Sequence, residues 1–216
     1  MVTSTSVILG SASPARLRVL RGAGLDPRVI VSDVDEDAII AGLGSAPPAE
    51  VVVRLAEAKA DAVVAAVLDA GHPADSDATD TVVLTCDSML LFDGDLSGKP
   101  HTPEVAGEQW RRMRGKSAEL LTGHAVSRVA DGRVSARVTA AASTTIRFAD
   151  VSDAAIDAYV ATREPLSVAG AFTLDGLGGW FVEGIDGDPS SVLGIGLPTV
   201  RRLLDDVGVD VTSLWT

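Results

Sequence analysis

The residues best suited to chemistry stand near the start of the chain. Gly10-Ser11-Ala12-Ser13-Pro14-Ala15-Arg16 follows the apolar run Val7-Ile8-Leu9 and precedes leucines at 17 and 20 with helical spacing. Ser13 suits an N-cap, and Pro14 a first helical position, where no donor is lost. A helix N-terminus after a strand presents free backbone N–H groups and a partial positive charge, which together suit a phosphate. Ser11 and Ser13 add hydroxyl donors. Arg16, three residues after Ser13, falls on the same side of the first turn and can grip phosphate oxygens with its forked guanidinium. The same residues also compose a capped surface helix with a solvated arginine, because such caps are common.

Asp87, in Cys86-Asp87-Ser88, closes the apolar run Val82-Val83-Leu84-Thr85, and strand ends are where open α/β sheets place ligands. A carboxylate there can hold a divalent cation or take a proton from water, with Ser88 donating to a substrate. It can equally cap the turn that follows. Asp35 and Glu36, in the acidic loop after Val29-Ile30-Val31, form a second carboxylate group able to share a metal between Glu36 and Asp87, although acidic loops are usually just solvated. Lysine occurs only at 59, 99 and 116. Lys59 lies in a strongly apolar helical segment and Lys99 at a Gly-Lys-Pro turn. Each alone reads as an ordinary surface lysine, but together with the Ser-Arg loop they can act as point charges against a triphosphate.

Other chemistries find less support. His72, His101 and His124 lack metal-ligand spacing, and no Gly-x-Ser-x-Gly nucleophile elbow is present. Cys86 continues a buried strand, where thiols are usually inert. Gly176-Leu177-Gly178-Gly179 lacks the spacings of phosphate-binding glycine loops and reads as turn chemistry. With 18 basic against 30 acidic residues the formal charge is 18 − 30 = −12, which opposes binding to nucleic acid or to an anionic membrane. The 216 residues, 46 % hydrophobic and only 4 % aromatic, predict one domain over 1–216 with a core of Ala, Val, Leu and Ile. One cysteine excludes an intrachain disulfide framework and a Cys-based zinc cluster. No stretch approaches the ~20 apolar residues of a membrane span, and Met1 to Ser6 lacks the basic flank of a secretory signal. A cytoplasmic location is the simplest expectation.

These side chains need elements to position them. The pattern predicts a strand at Val7–Leu9, a helix from Pro14 stopped by Gly22 and Gly24, and a strand at Val29–Val31. A long helix is expected over Pro48–Leu68, an exposed loop over Gly71–Asp80, and a buried strand at Val82–Thr85. Met89–Phe92 and the turn Asp93-Gly94-Asp95 predict a hairpin, followed by a helix over Thr102–Met113. Alternation from Ala125 to Phe148 around Asp131-Gly132 predicts a second hairpin. Ser152–Thr162 reads as a capped helix, Ala169–Gly196 as short strands, and Pro198–Val207 as an amphipathic helix. Helices and strands alternate before antiparallel strands appear, which argues for α/β with a mixed sheet.

In order along nearly the whole chain, these segments resemble the Maf family of nucleoside triphosphate pyrophosphatases. Ser11-Ala12-Ser13-Pro14-Ala15-Arg16 matches the opening Ser-x-Ser-x-x-Arg loop and Val34-Asp35-Glu36 the acidic loop. Lys59 falls at the helix lysine, Cys86-Asp87-Ser88 at Ala-Asp-Thr, and Gly98-Lys99-Pro100 at Gly-Lys-Pro. Glu164-Pro165, Ala169-Gly170-Ala171-Phe172, Ile185-Asp186-Gly187-Asp188 and Gly194–Pro198 fit the later blocks. The resemblance implies a mixed twisted sheet flanked by helices, in two intimate lobes with a central cleft, an ITPase-like architecture. It also implies hydrolysis of a nucleoside triphosphate between its α and β phosphates with a divalent metal, Mg²⁺ or Mn²⁺. Asp87 becomes the proton acceptor, Ser11, Ser13, Arg16, Lys59 and Lys99 the phosphate binders, and Glu36 with Asp87 the metal carboxylates. A homodimer is implied too. Relatives that act on dTTP and UTP carry a second Arg, a Thr and a Gln where this chain has Ala15, Ser88 and Asp175, positions expected to read the base. The family's Asp-Lys pair is Ser167-Val168 here, which motivates the alternative of a catalytically silent nucleotide-binding regulator of septum formation.

Overall fold

The computed structural model describes residues 5–70 and 80–216. In chain order the elements are β1 (Thr5–Leu9), α1 (Pro14–Gly22), β2 (Arg28–Val29), α2 (Glu36–Leu43), α3 (Pro48–Ala70), β3 (Asp80–Phe92) and β4 (Asp95–Ser97). They continue with α4 (Pro103–Met113), β5 (Ser117–Ala130), β6 (Arg133–Phe148), α5 (Asp153–Ala161), β7 (Val182–Asp186), α6 (Pro189–Val192) and α7 (Leu197–Asp206). The strands form one seven-stranded sheet ordered β2-β1-β3-β5-β6-β7, with β4 also on β3. β1 runs parallel to β2 and β3, and the remaining pairs are antiparallel. The mixed α/β architecture is therefore the expected one.

Strand periodicity divides the core into layers. Leu9, Leu84, Cys86 and Val126 face α1 and α7, where Leu20, Val200, Leu203 and Leu204 cover them. Ile8, Val83 and Val129 face the opposite way, against Val63, Val64 and Val67 of α3. Towards the far end of β3, Leu90 and Phe92 join a separate aromatic-rich cluster with Trp110, Phe148, Ile156 and Tyr159. The two clusters on that face are the cores of two lobes that share β3, β5 and β6. α3 approaches the sheet at Gly123, where a Cβ would overlap the backbone carbonyl of Val52, so only glycine fits there.

Several local expectations change. Of the run Val29–Val31 only Val29 belongs to a strand, the two-residue β2 that starts at Arg28. The acidic segment is not a loop throughout: Asp35 caps α2 by accepting from Ala38 N at 2.9 Å, and Glu36 is the first helical residue. Residues 71–79 of the expected exposed loop, with His72, lie outside the described residues. Asp80 is not loop but the buried first residue of β3, held by Arg128 at 2.8 Å. The Gly-rich stretch forms 3₁₀ turns at Ala169–Ala171 and Leu177–Phe181, with β7 as its one strand among the described residues. Asp87 does not end a strand. It lies in the middle of the 13-residue β3, because pairing with β5 runs without a break from Asp80 to Leu91.

Candidate active site

What ends near Asp87 is the neighbouring strand. β1 pairs with β3 only from Asp80 to Leu84, and β4 only from Leu90 to Phe92. Residues 85–89 thus have no strand on this edge, and Gly10 turns away after donating to Leu84 O at 2.8 Å. A cleft of about 1020 Å³ opens at this gap, between the two lobes. A Cβ on Gly10 would collide with side chains of Thr85 and Val63, so the glycine permits the chain to leave the sheet here.

Side chains of β3 alternate between the two walls of the cleft. Asp87 points towards α3, where Lys59 Nζ donates to its carboxylate. The same ammonium meets Glu36 Oε1, on the first turn of α2, at 2.8 Å. Lys59 lies on the face of α3 that also buries Leu55, Ala56, Ala60 and Val63, and neighbouring Thr85 is fixed by donating to Ala56 O at 2.7 Å. Lys59 and Asp87 are buried. Burial alone would raise the Glu36 pKa, but the hydrogen bond and charge of Lys59, with Lys99 and Arg16 beyond, hold its carboxyl below the usual value.

Ser88 points to the other wall. There Arg16 Nε donates to Gly194 O at 2.8 Å, Nη1 to Ser11 Oγ at 3.1 Å, and Nη2 to Ser88 Oγ at 3.5 Å. Ser88 also pairs with Thr122 across the ladder at 3.0 Å. Ser13 caps α1, its hydroxyl accepting from Arg16 N, and its own N–H donates to Ser11 Oγ at 3.2 Å. The expected helix N-terminus is therefore present and opens into the cleft.

Every residue singled out from the sequence reaches this cleft: Ser11, Ser13, Ala15, Arg16, Glu36, Lys59, Asp87, Ser88, Lys99 and Asp175 all line it. Ser167 and Val168 do so as well, leaving an apolar side chain where the resemblance expects a lysine. Among the described residues no group of three or more His, Cys, Asp or Glu is placed to hold a metal ion. Also among them, no helix is long and apolar enough to cross a membrane.

Three contributors were given no role beforehand, although Glu164 stands in one of the later blocks of the resemblance. Arg18, on α1, pairs with Asp175 at 2.8 Å from a position 157 residues away. Glu164 accepts from Tyr159 Oη, Thr173 Oγ1 and the amides of Leu177 and Gly178, and so organises the turn that carries Asp175. Burial opposes the charged form of Glu164, yet these donors keep its pKa below normal. His124, set aside for lack of metal spacing, is buried behind Arg16 and accepts from Gly196 N at 2.9 Å. For none of them does local spacing carry a signal, because each partner comes from a distant element.

The fold and the cleft define a class: a two-lobed α/β protein in which scarce cations and hydroxyls face a pair of carboxylates at an unpaired strand edge. Within that class the chain belongs to the Maf family, whose profile, described as Maf-like protein, matches residues 6–207. It is 60 % identical to the nucleoside triphosphate pyrophosphatase of Nocardia farcinica (strain IFM 10152), over 99 % of this chain and 98 % of that one. Proteins of the same name from Saccharopolyspora erythraea and Rhodococcus opacus (strain B4) are each 57 % identical. The first match covers 96 % of both chains, the second 98 % of this chain and 96 % of its relative.

Proposed function

We propose that this chain hydrolyses nucleoside triphosphates to a nucleoside monophosphate and pyrophosphate, acting on non-standard or excess nucleotides. The observation that carries this reading is the convergence of Arg16, Lys59 and Lys99, from three separate segments, on a cleft beside Asp87. In a protein of net charge −12, that concentration of cations supports capture of a small polyanion while extended polyanions are repelled. Phosphoryl transfer is mostly positioning and charge neutralisation, and the wall elements supply both.

In this reading Ser11, Ser13, Arg16 and Lys99 bind phosphate oxygens, with the free amides at the start of α1. A water oxygen forms a bond to the α-phosphorus, the α–β anhydride bond breaks, and pyrophosphate leaves. Asp87 accepts the proton that the water gives up. Lys59 orients Asp87 and adds positive charge beside the phosphates.

Glu36 and Asp87, the two carboxylates that Lys59 joins, would hold a divalent cation through oxygen atoms alone, a donor set suited to a hard ion. When bound, Mg²⁺ or Mn²⁺ supplies Lewis-acid polarisation of the phosphoryl oxygens. We further place the protein in the cytoplasm as a homodimer, with residues 1–216 forming one catalytic domain. The silent-regulator alternative is not favoured, since relatives aligned over nearly the whole chain carry the pyrophosphatase name.

The test is pyrophosphate release from a panel of canonical and modified triphosphates with Mg²⁺ or Mn²⁺. Turnover is expected, with Asp87→Asn lowering kcat by about 10²–10⁴-fold, the usual range for a general base. No turnover on any triphosphate, or turnover indifferent to Asp87→Asn, refutes the reading.

A further inference from the structure

We propose that His124 is a positioning residue for Arg16, acting through the segment Gly194–Gly196. The inference rests on the reading of Arg16 as a phosphate ligand.

His124 of β5 stands directly opposite Cys86 of β3 in the sheet register. The two side chains hold adjacent groups of one backbone segment: Cys86 Sγ donates to Gly194 O at 3.1 Å, and His124 Nε2 accepts from Gly196 N at 2.9 Å. Gly194 O is also the acceptor for Arg16 Nε. A guanidinium has five N–H donors. Three of Arg16's make these contacts to Gly194, Ser11 and Ser88, which leaves two for a ligand in the cleft. Whether those two aim correctly depends on where Gly194 O sits.

The far side of the segment is fixed independently. Asp188 accepts from the amides of Ser190 and Ser191, and Ser190 Oγ accepts from Leu197 N at 2.8 Å. Gly196 is packed so closely that a Cβ would overlap Ser191 Oγ. On the sheet side, His124 holds the Gly196 amide, the cap residue of α7.

The state of the ring matches this task. Because Gly196 N–H points at Nε2, the ring proton belongs on Nδ1, and Nδ1 has no partner among the described residues. What the histidine adds is an acceptor. Burial, then the charge of Arg16, pushes its pKa down to about 4, against the opposing effects of Asp188 and the backbone of Thr122 and Ala140. The ring therefore stays neutral and its Nε2 lone pair stays available.

The experiment compares His124→Met, which removes the acceptor at similar volume, and His124→Gln, whose amide oxygen can replace it. Each is made alone and with Arg16→Met. His124→Met is expected to raise KM for the triphosphate about tenfold with kcat within about twofold, the pattern of lost ground-state binding. His124→Gln is expected to recover most of the loss, and His124→Met to add nothing once Arg16 is Met. An unchanged KM in His124→Met, with only a lower Tm, overturns the inference, as does an effect that adds fully to Arg16→Met. An unchanged KM in Arg16→Met overturns the phosphate reading itself. If His124→Met does not fold, His124→Gln decides: near-normal KM supports the acceptor role, and a tenfold rise opposes it.

Discussion

Lys59→Met should weaken the fold in a way that depends on pH. Lys59 and Asp87 have side chains only 9 % exposed, whereas Glu36 is 45 % exposed. Removing one member of a buried ion pair costs ~3–5 kcal/mol, because the other is left charged without a partner. The half-exposed Glu36 contact adds at most ~1 kcal/mol. The expected destabilisation at pH 7 is about 3–5 kcal/mol, or roughly 6–20 °C in Tm for a chain of this size. The pH dependence comes from Glu36. Its folded pKa lies below the 4.5 of the free group, so its share of stability is present above that value and lost as pH falls through the folded pKa. Urea unfolding of both proteins at pH 7 and at a pH well below 4.5 measures the difference, and adding Asp87→Asn should recover most of the loss at pH 7. Equal destabilisation at both pH values, or less than ~1 kcal/mol at pH 7, would show that the ammonium and carboxylate do not depend on each other.

Three more outcomes are expected. Gly123→Ala should destabilise by about 3 kcal/mol, because the new Cβ meets backbone atoms of Val52 and Val53 that cannot turn aside; the urea midpoint checks it. Glu164→Gln should speed amide exchange at Leu177 and Gly178, whose N–H groups it holds. In the unaltered protein the same amides should loosen only as pH falls through the lowered Glu164 pKa, below 4.5. Trp110→Phe should cost about 2–3 kcal/mol, since the buried indole donates to Ala171 O at 2.7 Å; the urea midpoint should fall with the m-value unchanged.

Local chemistry made much of this protein legible. Ser13-Pro14, Thr102-Pro103 and Ser152 announce helix starts through cap and first-turn preferences that need no tertiary partner, and Asp131-Gly132 announces its hairpin in the same way. α2 was hidden because it is short and starts inside an acidic run: Asp35 caps it and Glu36 and Asp37 fill its first turn, while Ile39, Ile40 and Leu43 form a stripe only half-buried against α3. The length of β3 was hidden for a different reason. Cys86-Asp87-Ser88 interrupts its apolar pattern, and the strand continues because β5 supplies partners beside it. The members of the site were legible as types, yet their contacts were not: Lys59 meets Asp87 across 28 residues and Arg16 meets Gly194 across 178. Such distances are settled by sheet order, which no local spacing encodes.

The unpaired edge of β3 between Leu84 and Leu90 also acts as a ruler. Strands advance ~3.3 Å per residue, so the opening is measured out by where β1 stops and β4 begins. Its width comes in whole residues. Extending β1 by one paired residue would shorten the aperture by ~3.3 Å without altering any side chain in it. The size of molecule admitted to Asp87 is in that sense written into two strand lengths, and a single insertion or deletion at either end would re-gauge it.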